Sequence, residues 1–413
     1  MLLLSSKISL DDDDIVLYAY IGQILDLNIY EQDYEPFNLC MTLTTIDEKT
    51  FNSKGYNNKD GCNTFILDLE LGLYSLLIHS SSQFNETPLL KKSFWVKIIA
   101  KECEKTKFNA YFYKSFNDLD SRPTYIKINH INYIESTDSN KPNEIELLED
   151  NLLSIKNKKN IPPEFYSFHV GQGMCSLMKI GNVGIIFDIG AGKPIQRKKY
   201  KNTHNELTNN HLNVLDEIYI IISHLDKDHW RLMEWEISKG GDFLDKIKLI
   251  IVPNSENELS FKNKKIVGKV QVIKKTNEIK GNGFLIKIHR SKPSKLSNNN
   301  DCLVCEVEIN DNTILIPGDY VYKEMSSDSN IDIKMIPTKY YDLIIVPHHG
   351  DEASAINIPN PVIPSISKAY FSAGTHCGYK HPRQQSIDEH RNNNFDTISD
   401  NTCNSIKVAV SVK

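Results

Sequence analysis

The chain has 413 residues and a net charge of −5, with 40% hydrophobic and 24% charged residues, which is the composition of an ordinary globular protein. No apolar run approaches the ~20 residues that span a membrane, and the first residues lack the basic segment of a signal peptide. Its eight cysteines form no disulfide or zinc-site pattern. These features predict a cytoplasmic protein without a membrane partner.

The modest net charge conceals an uneven distribution along the chain. Residues 1–150 contain 24 Asp/Glu and 14 Lys/Arg, whereas residues 151–413 contain 29 and 34. The basic excess is greatest from Lys246 to Lys295, where 13 Lys/Arg accompany three Glu. This interval indicates either an anionic partner, for which nucleic acid is the expected choice, or a lysine-rich solvated face.

Residues 1–120 predict a small all-β domain. Short runs rich in β-branched and aromatic residues, such as 15–20 and 94–99, alternate with clusters of Asn, Asp, Gly and Ser. One run, Thr64–Ile78, contains Gly-x-Tyr followed by alternating residues and resembles the penultimate strand of immunoglobulin-like β-sandwiches. No catalytic cluster is present, so we expect a binding or scaffolding module with an unknown protein partner.

The larger domain is expected to follow a connector. Residues 121–160 combine Pro, Ser, Asn and Lys clusters and predict that connector, and residues 161–413 predict the second domain. Its first strand is interrupted by Gly171 and Gly173, which permit close approach of the backbone to a ligand. Its next buried strand ends in Asp188. Polar residues at such strand ends are candidates for a functional site.

The most informative stretch of this domain is residues 220–230. An apolar β-type run leads there into His224, Asp226, Asp228 and His229. A turn can present His224 and Asp226 to one divalent ion, and Asp228 and His229 to a second. A solvated charged turn would explain the aspartates but not the paired histidines, so the pattern favours a metal site.

Three later strand-like runs also end in polar clusters. The first ends in Asp319, the second in His348 and His349, and the third leads through Gly374 to His381. Asp319 by itself would read as an ordinary turn residue. Clusters at the ends of several strands, however, are expected to meet along one edge of a sheet.

These blocks together resemble metallo-β-lactamase-fold hydrolases. The stretch from His224 to His229 has the His-x-Asp-x-Asp-His form that is typical of the β-lactamase-like domain of bacterial DNA-uptake (competence) proteins. The resemblance extends from about Phe168 to the C-terminus and implies an αββα sandwich of the α/β class for residues 161–413. It does not cover the N-terminal domain.

The resemblance also implies roles for individual residues. Asp188 would orient a metal-ligand histidine, Asp319 would bridge two ions, and His348 is favoured over His349 for the second ion. The residues expected to bind metal are His224, Asp226, Asp228, His229, Asp319 and His348. The residues expected to contact substrate are Gly171, Gly173, His349, Gly374, Tyr379 and His381. The residues expected to take part in catalysis are Asp228, Asp188 and His381, the last as a general acid.

The predicted function is metal-dependent hydrolysis. Ligands of this kind, without thiolates, suit two divalent ions, Zn²⁺ or Mn²⁺, which would hold the attacking hydroxide between them. Competence-like blocks and the basic interval favour a phosphodiesterase or nuclease acting on DNA or RNA, although this fold serves several substrates. The alternatives are a hydrolase of small esters or small cyclic phosphodiesters, or an inactive metal-binding interaction protein, because Met174, Asp301 and Asp351 depart from the family pattern.

Overall fold

A computed structural model describes most of the chain. The described residues are 13–21, 33–34, 40–70, 94–134, 161–253, 258–294, 297, 299–374, 380–399 and 404–412. Tyr379, the end of the Thr64–Ile78 segment and most of the expected connector lie outside these ranges. None of the helices within them is long and apolar enough to cross a membrane.

Six strands of the N-terminal region form one closed barrel. They are β1 (Asp14–Ile21), β2 (Cys40–Asp47), β3 (Phe65–Glu70), β4 (Phe94–Glu102), β5 (Ala110–Lys114) and β6 (Thr124–Ile134), in the order β1-β2-β3-β5-β6-β4. A short helix α1 (Glu48–Asn52) follows β2. Alternate side chains such as Leu67, Ile98 and Ile126 fill the barrel, as expected for strands with one buried face.

This barrel differs from the expected immunoglobulin-like sandwich. Strand β1 pairs with both β2 and β4, so the sheet closes on itself, and the described residues of this region form no second sheet. The barrel also extends beyond residue 120, because β6 lies within the expected connector and pairs with β4 and β5. The alternation of buried Ile126 and Ile128 with exposed Lys127 is the signal of this strand.

The second region contains two seven-stranded mixed sheets. The first has the order β12-β11-β10-β9-β8-β7-β22, and the second has the order β13-β14-β15-β16-β18-β20-β21. The strands of the first sheet are β7 (Glu164–His169), β8 (Cys175–Ile180), β9 (Val183–Ile189), β10 (Glu217–Ile221), β11 (Ile247–Val252), β12 (Val270–Val272) and β22 (Lys407–Val412). The strands of the second sheet are β13 (Asn277–Gly281), β14 (Phe284–Arg290), β15 (Leu303–Ile309), β16 (Asn312–Ile316), β18 (Leu343–Ile345), β20 (Lys368–Phe371) and β21 (Asp396–Ser399).

The remaining elements are short. Strands β17 (Tyr340–Tyr341) and β19 (Asn360–Pro361) pair with each other. The helices are α2 (Arg231–Ser238), α3 (Phe243–Lys246), α4 (Tyr322–Met325), α5 (Ile331–Lys334) and α6 (Gln384–Asn392).

Alternation along the strands stacks these elements in layers. On β9, Ile185 and Phe187 pack against the second sheet, whereas Ile186 packs toward α2 and α3. On β15, Leu303 faces the first sheet and Val304 faces α4, α5 and α6. The described layers therefore have the order helices, sheet, sheet, helices, and each sheet buries both of its faces.

Parallel pairing brings the polar strand ends together. Strands β9 and β10 are parallel neighbours in the first sheet, and β16, β18 and β20 are parallel neighbours in the second. Their carboxyl ends carry Asp188, His224, Asp319, His349 and Gly374 or lead into them. Because parallel strands end at the same edge of a sheet, these residues can share one cleft.

A buried carboxylate on β15 links three other residues of the second sheet and its neighbouring segments. Glu306 on β15 accepts hydrogen bonds from His289 Nε2 at 2.8 Å, Lys339 Nζ at 2.7 Å and the Tyr341 hydroxyl at 2.6 Å. Burial by itself would raise the pKa of Glu306, but these three partners lower it to about 2. Because the folded-state pKa is depressed, the ionised carboxylate stabilises the fold above the unfolded pKa of about 4.5, and this stability is lost as the pH falls toward 2.

We therefore expect Glu306→Gln to lower the free energy of unfolding at pH 7 by about 3 kcal/mol. The difference from the unmodified chain should shrink at pH 3.5, because the carboxylate is then partly protonated in the unfolded state. Urea unfolding at both pH values measures this. Glu308→Gln, on the same strand, is the control, since Glu308 is 51% exposed and pairs with Lys287 at 3.5 Å. A pH-independent difference would contradict the prediction.

Candidate metal centre

The stretch after β10 places its two histidines in a buried cleft opposite Asp319. His224 and His229 are 1% and 0% exposed, and Asp319 is 4% exposed. Asp319 Oδ1 lies 3.1 Å from His229 Nε2, and Asp319 Oδ2 lies 3.7 Å from His224 Nε2. These three residues form one group whose donor atoms all lie within 4.8 Å of one another.

A second group forms around Asp228. Its Oδ2 lies 3.1 Å from His349 Nε2, and its Oδ1 lies 3.9 Å from His229 Nε2. Asp319 Oδ1 is also 3.7 Å from His349 Nε2. The donor atoms of Asp228, His229 and His349 also lie within 4.8 Å of one another. The two groups therefore share His229, and Asp319 of the first group lies next to His349 of the second.

The donor atoms of this cleft fit divalent ions. The Nε2 atoms of His224, His229 and His349 and the Oδ1 atom of Asp319 are buried and make no hydrogen bond within the described part of the chain. Leaving a buried polar atom without a partner costs about 1–3 kcal/mol, and four occur here side by side. A metal ion would occupy their lone pairs, and histidine and carboxylate ligands suit Zn²⁺, Mn²⁺ or iron.

The outer nitrogens of these histidines are held by the surrounding residues. Asp188 Oδ2 accepts from His229 Nδ1 at 2.8 Å and from the Ser223 hydroxyl at 2.8 Å, and Asp188 Oδ1 accepts from the Ser223 backbone N–H at 2.6 Å. His349 Nδ1 donates to the Ser372 carbonyl at 2.7 Å. A protonated Nδ1 leaves the Nε2 lone pair facing the cleft, which is the usual arrangement of metal-binding histidines.

Sequence reasoning missed Ser223. Its hydroxyl lies 3.2 Å from the Nδ1 atoms of both His224 and His229, so one serine links Asp188 to two candidate ligands. Its position directly before His224 was the available signal. The residue type alone did not indicate that its hydroxyl faces inward.

The charges of the cleft favour a positive group between its carboxylates. Burial lowers the pKa of His229, but Asp319 and Asp188 raise it well above its usual value. Conversely, burial raises the pKa of Asp319, and the surrounding histidines hold it well below its usual value. A proton on His229 thus balances the carboxylates, and an incoming metal ion would displace that proton.

The geometry distinguishes His349 from His348. His348 Nδ1 bonds Asp351 Oδ2 at 2.9 Å and its Nε2 bonds the Asn299 amide at 3.2 Å, so both ring nitrogens already have partners. His348 Nε2 still lies 3.8 Å from Asp319 Oδ2. The structure therefore favours His349 for the group around Asp228, whereas the sequence favoured His348. Both histidines have positive φ, 49° and 54°, and this sharp turn decides which ring faces inward.

Asp226 lies at the border of the cleft. Its Oδ2 is 3.5 Å from His224 Nε2, and its side chain is 14% exposed. It belongs to neither group of closely spaced donors. It is near enough to His224 for the two to share an ion after a small side-chain rotation.

The glycines expected to contact substrate are explained by packing. A Cβ atom on Gly171 would lie 2.1 Å from the Gly192 carbonyl, one on Gly173 would lie 2.8 Å from the Asp228 carbonyl, and one on Gly374 would lie 1.8 Å from the Lys193 carbonyl. The backbones of adjacent loops fill the space that side chains would need. Of the three, Gly173 packs against the turn at Asp228, and substrate contact by these glycines stays a prediction.

His381 is placed beside the histidines but is not suited to be an acid. Its ring lies 6.2 Å from that of His349 and 5.5 Å from that of His348, between centroids. Burial, together with the neighbouring His349 and His348, lowers the pKa of His381 to about 3. His381 is therefore neutral at pH 7, and positive ions nearby would keep it so, which does not favour the expected general-acid role. Tyr379, two residues earlier, lies outside the described residues.

The three departures from the family pattern have structural partners. Met174 packs in the core between the two sheets, Asp301 pairs with Arg290, and Asp351 holds His348. None of them replaces a donor atom of the two groups. These substitutions therefore do not argue against a metal centre.

Comparison with known proteins returns structural neighbours only. No model of a known protein family matches the sequence, and neither does a curated protein sequence. The metallo-beta-lactamase fold protein YhfI from Bacillus subtilis is 11% identical, with 60% of this chain and 99% of that chain covered and a TM-score of 0.34. A putative metal-dependent hydrolase from Parabacteroides distasonis is 15% identical, with 57% and 92% covered and a TM-score of 0.32.

A third structural neighbour is described as a hydroxylase rather than a hydrolase. CmlA, a diiron beta-hydroxylase from Streptomyces venezuelae, is 12% identical, with 60% of this chain and 54% of that chain covered and a TM-score of 0.36. The chain thus spans about half the length of CmlA. These neighbours are a metallo-beta-lactamase fold protein, a putative metal-dependent hydrolase and a diiron enzyme, all at low identity, and none of the three is described as a competence protein.

Proposed function

We propose that this chain is a metal-dependent hydrolase of the metallo-β-lactamase type that cleaves phosphodiester bonds in nucleic acid. The observation that carries the proposal is the set of four buried donor atoms without hydrogen bonds, on His224, His229, His349 and Asp319. The three histidine nitrogens lie 3.1–3.7 Å from carboxylate oxygens of Asp319 and Asp228. This convergence of imidazole and carboxylate atoms in one buried cleft is what a metal centre requires.

The two oxygens of Asp319 face different histidines, so Asp319 would bind two ions, one through each oxygen. Oδ2 faces His224, and Oδ1 faces His229 and His349. Because a histidine Nε2 has one lone pair, His229 would serve only one ion, and its distance of 3.1 Å from Asp319 Oδ1 supports grouping it with His349. One ion would then be held by His224, Asp226 and Asp319, and the other by Asp228, His229, His349 and Asp319.

The residues around the ions would bind and align the substrate. Bound ions would supply a water that is activated at neutral pH and would stabilise charge on the scissile phosphate. His348 and Asn299, which bond each other at the partly exposed border of the cleft, are placed to contact a phosphate oxygen. His381, neutral and 7% exposed, would lie against the leaving group as a hydrogen-bond partner.

The basic interval supports nucleic acid as the substrate, although three of its lysines bond backbone carbonyls. Lys246 donates to the Leu212 carbonyl at 3.3 Å, Lys269 donates to the Ile247 carbonyl at 2.7 Å, and Lys265 donates to the Phe116 carbonyl. These three serve the fold. Lys264, Lys274, Lys275 and Lys280 are among the exposed lysines of the interval, where a phosphate backbone would meet them.

The test is a substrate panel on the chain loaded with Zn²⁺, Mn²⁺ or Fe²⁺. We expect cleavage of single-stranded DNA or RNA, with affinity that falls with salt by ~0.7 log units per log unit of salt for each phosphate contact. Replacing Lys264, Lys274, Lys275 and Lys280 by Glu should weaken nucleic-acid binding and flatten that slope. Turnover of bis-p-nitrophenyl phosphate, which needs only the metal centre, should be unaffected.

The matched control reverses the same amount of charge on the barrel. Four of its exposed lysines, Lys49, Lys59, Lys107 and Lys127, are replaced by Glu. If both sets change affinity equally, general charge rather than a binding face explains the effect. If neither set matters and only small esters are hydrolysed, the small-ester hydrolase becomes the better assignment. Absence of turnover with every metal would favour the inactive interaction protein, and oxygen consumption by the iron-loaded chain would indicate oxidative chemistry instead.

A further inference from the structure

Two cations flank the metal-site residues Asp228 and His229 and are buried on the side of the barrel. Lys227 is 7% exposed and Arg231 is 5% exposed. Arg231 Nη2 forms an ion pair with Asp33. Asp68 and then Asp33 are the carboxylates whose charges act most strongly on Lys227, and Glu258 acts more weakly. Thus Asp228 and His229 face the metal cleft, and the cations on either side of them interact with the acidic pair Asp33 and Asp68.

The acidic pair is fixed within the barrel region. Asp68, on β3, is 0% exposed and accepts a hydrogen bond from the Thr42 hydroxyl on β2. Asp68 Oδ2 also accepts from the Asp33 backbone N–H at 3.3 Å. Asp33, 3% exposed, accepts from the Tyr113 hydroxyl on β5. Three strands therefore hold the two carboxylates in place, so their position does not depend on the turn.

The turn is also held by contacts outside the acidic pair, because the Met174 N–H donates to the Asp228 carbonyl at 3.1 Å and the Trp230 indole N–H donates to the Leu225 carbonyl at 2.8 Å. Lys227–His229 is a single three-residue helical turn, closed by the Trp230 N–H to the Lys227 carbonyl at 3.1 Å. Trp230 stacks on Phe116, which follows β5, with centroids 6.4 Å apart. If Lys227 moved out toward water, Asp226 and Asp228 on either side would have to move with it.

We propose that Asp33 and Asp68 are positioning residues of the metal centre, which act through Lys227 and Arg231. This inference rests on the proposed function, since it takes the cleft to bind metal ions. Removing one member of a buried ion pair leaves its partner as an uncompensated buried charge, which strongly destabilises the fold. Movement of that partner toward solvent would lower this free-energy penalty and displace the turn. The ion held by Asp228 and His229 should be affected most, because both of these ligands lie on the turn.

A neighbouring ion pair supplies the comparison. Arg197 and Glu234 are buried in the same interface, with 3.4 Å between Arg197 Nε and Glu234 Oε2. Glu234 also accepts from the Phe116 N–H at 2.9 Å and from the Ser238 hydroxyl at 2.9 Å. It therefore joins the barrel region to α2 without facing Lys227. A change there tests whether general loosening of the interface is enough.

The experiment is cobalt titration of the full-length chain, followed by visible absorption and calorimetry. Asp33→Asn, Asp68→Asn and Lys227→Met should each weaken binding of one of the two Co²⁺ ions about tenfold, the scale of effects from residues behind metal ligands. The double variant Lys227→Met/Asp68→Asn should lose less than the sum of the two single changes, because it leaves no unpaired charge between them. Glu234→Gln should lower thermal stability and leave both cobalt affinities unchanged.

The outcomes separate this inference from the proposed function. If the unmodified chain binds two Co²⁺ ions and the Asp33, Asp68 and Lys227 variants bind them equally well, the inference is wrong and the metal centre stands. If Glu234→Gln weakens cobalt binding as much as they do, the barrel contributes only general stability and the inference is again wrong. If the unmodified chain binds no cobalt, both fail. Binding without hydrolysis removes the proposed activity but not this inference.

Discussion

Replacing Asp319 with alanine should abolish metal-dependent turnover, with a loss of about a thousandfold or more. Its two oxygens lie 3.1–3.8 Å from the Nε2 atoms of four histidines, so it contributes to both proposed ions. Transition-state stabilisation by a bound ion is worth several kcal/mol, and each 1.36 kcal/mol corresponds to a factor of ten in rate. His224→Ala, which removes a ligand of one ion only, should cost less.

The measurement is turnover together with elemental analysis after loading with Mn²⁺ or Zn²⁺. The unmodified chain should hold two ions, the His224→Ala chain about one, and the Asp319→Ala chain fewer than either. Asp342→Ala is the control, because Asp342 precedes β18 and bonds Thr313 rather than any histidine. An Asp319→Ala chain that keeps two ions and near-normal turnover would show that the bridging assignment is wrong.

Replacing Asp188 with asparagine should reduce metal affinity or activity 10–100-fold while leaving the fold intact. The carboxylate accepts from His229 Nδ1, and this hydrogen bond keeps the Nε2 lone pair directed at the cleft. An amide can present its NH₂ group to Nδ1 and favour the wrong tautomer of His229. Asp188 has a φ of 51°, which asparagine tolerates, so the substitution adds no backbone strain.

The comparison for this prediction is Ser223→Ala. It removes the hydroxyl that links Asp188 to both histidines but keeps the bond of 2.6 Å from the Ser223 backbone N–H to Asp188. We expect a smaller loss than for Asp188→Asn, measured as Mn²⁺ affinity by calorimetry and as turnover of a small phosphodiester. Equal metal affinity in Asp188→Asn and the unmodified chain would contradict an orienting role for this carboxylate.

The N-terminal region shows why local patterns predicted strands but not their closure. The runs at 15–20 and 94–99 fall within β1 and β4, since alternation of buried and exposed residues is a local property. Whether six strands close into a barrel or divide into two sheets depends on the pairing of β1 with β4, about 80 residues apart. No local pattern specifies that partner.

The sequence by itself determined which strand ends carry histidines and carboxylates, because side-chain alternation and residue chemistry are local properties, and the resemblance of these blocks to metallo-β-lactamase-fold hydrolases implied the two-sheet region. Only the tertiary structure decided that His349 rather than His348 faces Asp228, since consecutive residues of positive φ set the direction of each ring. It also decided that Arg231 meets Asp33, 198 residues away in the chain. Contacts of that kind depend on how separate elements pack, which no short stretch of sequence encodes.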